Sequence, residues 1–102
     1  MRRVAVARLP DDPLAASSQF LRDWLDPVAR AAEAGEDVLV TLDPADHTHG
    51  EWRRAAAAML ARRHTPRRVN IVAGEDGDAL EAVTAYLANA PGVTGQYLES
   101  AG

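Results

Sequence analysis

Arg68-Val-Asn-Ile-Val-Ala-Gly74 and, about twenty residues on, Gly92-Val-Thr-Gly-Gln-Tyr-Leu98 decide how this chain folds. Each is a short β-rich run beside glycine. Val69, Ile71 and Val72 carry the signature of a buried strand, and Gly74 ends it. Between the two runs, Leu80, Val83 and Leu87 recur at helical spacing. The unit therefore reads strand, helix, strand.

Working outward, the same alternation fills the chain. Arg3 to Leu9 reads as a strand, closed by Pro10-Asp11-Asp12-Pro13. Phe20, Leu21, Trp24, Leu25 and Val28 mark one face of a helix. Asp26-Pro27 has the look of an N-cap followed by proline at the first helical position, so a kink or restart is expected there, and Gly35 is expected to close the helix. Asp37 to Leu42 is a second strand. Thr48 and Glu51 stand three apart like a capping box, opening a helix whose inner face would be Trp52, Ala55, Ala56, Met59 and Leu60. Arg62, Arg63 and His64 suit its carboxyl end, and Pro66 stops it. Asp78 and Glu81 give a second capping signal, for a helix from about Ala79 to Asn89. Pro91-Gly92 then turns the chain into a last strand, Thr94 to Leu98.

The order βαβαβαβ with near-continuous apolar strands predicts an α/β, three-layer, Rossmann-like domain over residues 1–102, with about four mostly parallel strands. Only the alanines Ala55 to Ala58 form a repetitive run, read as a close helix-packing face.

Composition removes several chemistries. The 102 residues carry a net charge of −4, and their pI is about 5.2. With no basic run longer than two residues, neither nucleic acid nor an anionic membrane is an expected partner. All 11 basic residues are arginine, so no lysine amine can act, and with no cysteine there are no disulfides or thiolate ligands. The amino terminus has no long apolar core and no window reaches the length of a membrane span, so the expected location is the cytoplasm. The arginine-for-lysine bias and the abundance of alanine fit a high-GC bacterial genome.

Arg68-Val69-Asn70, the pairs Ala82-Val83 and Leu87-Ala88, and Thr94-Gly95-Gln96 together resemble the C-terminal portion of the short-chain dehydrogenase/reductases. The likeness is most specific over residues 67–98; across residues 1–66 it rests on element order. It places the chain on the back half of that fold, from the fourth strand to the seventh. The family's dinucleotide site belongs to the front half, and no Gly-x-Gly-x-x-Gly or Gly-x-x-x-Gly-x-Gly spacing occurs in the chain.

The resemblance also implies where catalysis would lie. The family uses a tyrosine and a lysine four residues apart. In register they fall at Asp46 and Gly50, or at Gly50 and Arg54, and neither pair supplies the chemistry. The serine expected after the second strand is replaced by Leu42-Asp43, the Asn-Ala-Gly after the first strand by Ala7-Arg8-Leu9, and the proline before Gly74 by Ala73. Packing positions are kept and reactive groups are lost. The expectation is thus a truncated relative, a pseudoenzyme with no catalytic residue, no cofactor and no bound metal.

Two residue clusters remain. Asp43, Asp46, His47 and His49 follow the second strand, at the carboxyl end of the sheet where open α/β folds place ligands. With Asp76 of the acidic loop Glu75 to Asp78 they form the candidate ligand loop. Metal binding by the two histidines lacks a third ligand fixed by spacing, calcium lacks an EF-hand frame, and Asp46–His49 as an acid/base pair has no serine spaced to join it. The plain readings are a polar loop leading into a helix and a helix cap at Asp78. Arg67-Arg68 is read as a solvated strand edge rather than a phosphate site, and Trp24 as core or interface.

The second cluster is the candidate interface: Trp52, Ala55, Ala56, Met59 and Tyr97. A four-stranded parallel sheet needs both faces covered, and its first strand would be an open edge. In the family the helices corresponding to 14–34 and 49–64 pair between subunits. A homodimer is therefore the expected assembly, with another protein partner as a variant of that expectation. A small-ligand module or minor enzyme using the carboxyl-end loops, and a half-domain complementing a separate dehydrogenase subunit, are the alternatives.

Overall fold

Four strands, all parallel, lie across one sheet in chain order. The computed structural model describes residues 1–100. Its elements are β1 (Arg2–Ala5), α1 (Pro13–Glu33), β2 (Val38–Leu42), a 3₁₀ turn (His47–His49), α2 (Gly50–Arg63), β3 (Val69–Ala73), α3 (Asp78–Ala88) and β4 (Tyr97–Glu99). The sheet order is β1-β2-β3-β4, with Val40 beside Val4 on one side and Ile71 on the other. The expected α/β, Rossmann-like architecture is present.

Helices cover the two faces unequally. α1 and α2 share one face, where Phe20, Val28, Ala31, Ala56, Ala57 and Leu60 pack on Val4, Val40, Val69 and Ile71. α3 lies on the other, where Leu80 and Leu87 meet Leu39 and Val72. Every residue of β2 and β3 is buried, which is why those strands are apolar at every position but Thr41 and Asn70. β1 is an edge. Its Val4 and Val6 point into the α1–α2 core, while Arg3, Ala5 and Ala7 on the opposite face are exposed. Arg3 reaches across that face to Glu81 at 2.9 Å and Asp76 at 3.4 Å.

The two stretches that resemble the dehydrogenase family turn out to be one clamp. Val69 N–H donates to Thr94 Oγ1 at 3.0 Å, and Gly95 N–H donates to the Val69 carbonyl at 2.8 Å. Asn70 is buried. Its amide donates to the Val93 carbonyl at 3.0 Å, and its oxygen accepts from Gln96 N–H at 3.0 Å. Gly95 has φ +75°, and a Cβ there would stand 3.3 Å from Ala61 Cβ on α2. Arg68 N–H and Nε donate to the Asp37 carboxylate at 2.8 and 3.0 Å, and Nη1 donates to the Leu87 and Ala90 carbonyls at the end of α3. Arg68 is therefore mostly buried and paired, not a solvated strand edge. Its guanidinium gives a second donor to these two carbonyls, which also accept from Ala90 N–H and Val93 N–H.

Several local expectations are corrected. α1 continues through Pro27 without a restart, and the cap-and-proline pair that opens it is Asp12-Pro13: Asp12 accepts from Ala15 N–H at 2.9 Å. Gly35, with φ +88°, does close α1. Glu36 N–H reaches the Ala31 carbonyl at 3.2 Å and Gly35 N–H the Ala32 carbonyl at 3.0 Å, the paired bonds of a Schellman ending. Thr48 does not form a capping box with Glu51; it donates to Asp46, which caps the 3₁₀ turn instead. Gly77, not Asp78, stands at the N-cap of α3, with no side-chain cap. The last strand is shorter and later than expected, because Thr94 to Gln96 are spent on the clamp.

α2 is turned by one residue from its expected setting. Arg53, Ala56, Ala57, Leu60 and Ala61 face in, while Ala55 and Met59 face out. Trp52 is half-buried, with its ring 5.5 Å from that of Phe20.

Candidate functional site

The chain segments leaving β1, β2 and β3 open around one cleft of about 530 Å³. Ala7 to Asp11 form one wall and Leu42 to Asp46 another; His49 and Arg53 at the start of α2 form the floor, and Glu75 stands at the rim. This is the carboxyl end of a parallel sheet. Strand ends there splay into loops, and side chains from successive crossovers converge.

Of the candidate ligand residues, Asp43, Asp46 and His49 meet at this cleft. His47 and Asp76 do not line it, and Asp76 instead contacts Arg3. Among the described residues, no three His, Cys, Asp or Glu side chains gather closely enough to hold a metal.

His49 is a structural residue. It is buried, and both ring nitrogens are engaged. Nδ1 accepts from the indole N–H of Trp52 at 3.1 Å, so Nε2 carries the hydrogen and donates to the Asp11 carbonyl at 2.8 Å. No lone pair is left for a metal or a proton relay. Asp46 is engaged too: Thr48 donates to it through both its hydroxyl and its N–H. Those two bonds, the hydroxyl's first, hold the Asp46 carboxyl below the ordinary carboxylate range. The pairing of Asp46 with His49 as acid and base is thus not formed, because each is committed elsewhere.

The residue that sequence reading missed is Arg53. It is 3% exposed at the base of the cleft. Nη1 donates to the Asp43 carbonyl at 3.0 Å and to the Tyr97 hydroxyl at 3.2 Å. The guanidinium lies against two rings, 5.6 Å from the centre of Trp52 and 5.8 Å from that of Tyr97. Nε is buried with no acceptor among the described residues. The spacing of Arg53 with Ala56, Ala57, Leu60 and Ala61 was the available signal. An arginine on the inward face of an alanine helix argues against that face, so the pattern points the wrong way.

The candidate interface residues separate. Ala56 is core, and Trp52 and Tyr97 are half-buried against it, whereas Ala55 and Met59 are exposed on the outside of α2. Between α1 and α2 lies a shallow apolar groove of about 350 Å³, lined by Phe20, Leu21, Leu25, Ala56, Met59 and Leu60, with Arg63 at one end. No described helix is long and apolar enough to cross a membrane.

Compared with known proteins, residues 4–100 match the family model SDR-like, described as short chain dehydrogenase-like protein. No curated protein and no solved structure matches the chain.

Proposed function

The chain belongs to the short chain dehydrogenase-like family, and from that premise we propose that it works by association rather than by hydride transfer, pairing with a second copy of itself across α1 and α2. The observation that carries this reading is the apolar groove between those helices. Leu21 is 42% exposed and Met59 51% exposed on its two banks, and neither is needed by the core. A two-fold axis over the groove lays the banks of one copy into the groove of the other, since such an interface uses the same patch twice. The small side chains Ala55 and Ala56 permit close approach of the helices.

The chemistry of the site supports the same reading. A lysine-assisted tyrosine has no counterpart in a chain without lysine, and the two tyrosines sit elsewhere: Tyr86 exposed on α3, Tyr97 against Arg53. The described strands run in chain order without reversal, so they contain no point at which the strand order turns back to open a dinucleotide crevice.

Light scattering on the eluted protein at tens of micromolar tests the reading; a dimer is expected, and a monomer sinks it. A rise in melting midpoint with NAD or NADP would contradict the non-catalytic half directly, because a ligand that binds only the folded chain must raise it.

A further inference from the structure

Arg53 is a buried cation with no anion to answer it. It forms no ion pair among the described residues, and both of its hydrogen bonds leave from Nη1. Nε has no acceptor, and Nη2 makes no hydrogen bond to a described residue. A guanidinium offers its N–H groups in a fixed planar fork, and the Nε/Nη2 edge is one that a carboxylate meets with both oxygens. That edge is the unused one, on a side chain that lines a 530 Å³ cleft. The ring faces of Trp52 and Tyr97 stabilise the charge without neutralising it.

The rim decides what kind of anion fits. Asp11, Asp43, Asp46 and Glu75 all line the cleft and are exposed, against Arg8 and Arg53. A phosphate, with up to two negative charges, meets four carboxylates against two guanidinium groups. A simple amine satisfies the rim and leaves Arg53 unanswered. A molecule carrying one charge of each sign, a few bonds apart, satisfies both. Asp46 already serves Thr48, which leaves Asp11, Asp43 and Glu75 as carboxylates with no side-chain partner among the described residues. We propose that the cleft binds a small zwitterion of the amino-acid class, its carboxylate on the unanswered guanidinium of Arg53 and its ammonium group among Asp11, Asp43 and Glu75.

The test is a titration of the isotope-labelled full chain, followed by amide NMR, with glycine, L-alanine, β-alanine and L-leucine. Sodium acetate, ethylammonium chloride and inorganic phosphate serve as comparison probes at one ionic strength. At least one zwitterion is expected to shift amides in residues 7–11 and 42–53 saturably, about tenfold more tightly than acetate or ethylammonium. Asp43→Asn combined with Glu75→Gln is expected to weaken it by about tenfold at an unchanged melting temperature. Arg53→Lys, which keeps the charge but loses the fork, is expected to weaken it as well. The proposal is overturned if phosphate or acetate saturates those amides at equal or lower concentration, or if none of the four zwitterions moves them at about 20 mM, beyond the range of specific affinity. If Arg53→Lys fails to fold, the double variant decides alone, and unchanged affinity in it overturns the proposal. Light scattering reads dimerisation independently, so the failure of either idea leaves the other standing.

Discussion

Trp52 donates its indole N–H to Nδ1 of His49 three residues earlier, at 3.1 Å, and so turns a loop histidine into part of the core. The bond ties the 3₁₀ turn to α2. Through Nε2 it also ties both to the Asp11 carbonyl, 38 positions away along the chain. His49→Ala would take away the partner of the Trp52 indole N–H and of the Asp11 carbonyl and leave a void beside Trp52. A loss of about 2–4 kcal/mol is expected, read as a lower urea midpoint. An unmoved midpoint would mean that the ring is spare and free for chemistry.

Asp37 and Arg68 make the stability of the fold depend on acid. The Arg68 N–H first, and its guanidinium as well, hold the Asp37 carboxyl below its ordinary value. A carboxyl lowered in the folded state contributes stability that is fully present above its unfolded value, about pH 4, and is lost as pH falls through the folded value. Asp37→Asn should therefore lower stability at pH 7 by about 1 kcal/mol and flatten that part of the acid limb. Chemical denaturation of both forms between pH 7 and pH 3 checks it; parallel curves would refute the linkage.

Gly35 and Gly95 separate two causes of strain. Both have positive φ, +88° and +75°. Nothing lies within 4 Å of a Cβ at Gly35, whereas at Gly95 it would press on Ala61 Cβ at 3.3 Å. Gly35→Ala should cost about 1 kcal/mol, from backbone conformation alone. Gly95→Ala should cost more, about 2 kcal/mol, because the 94–96 clamp and α2 must also move apart. Thermal unfolding of the two variants gives the order directly.

Leu21→Glu and Met59→Glu test the association face. Each side chain is half-exposed on a bank of the α1–α2 groove, so each change should alter monomer stability by only about 0.5 kcal/mol. Each should nevertheless convert a dimer to a monomer, seen by sedimentation or light scattering, since a charge in an apolar interface is left without a partner.

What the amino-acid order determined by itself is the alternation of elements and the parallel sheet. β2 and β3 are buried on both faces, so Val38-Leu39-Val40 and Ile71-Val72 had to be apolar without interruption, and burial of that kind is written locally. The clamp between Arg68-Val69-Asn70 and Thr94-Gly95-Gln96 was visible as a family resemblance, but its bonds were not. Tertiary structure alone decided the rest. Of the three Asp-Pro pairs, that at 12–13 opens α1 and that at 26–27 is carried inside it, because Val28, Ala31 and Ala32 pack on the sheet and outweigh one lost backbone bond. The rotation of α2 was hidden because alanine suits either face of a helix. Arg53 and His49 became interior residues only through Tyr97 and Asp11, partners 44 and 38 positions away, which no local window contains.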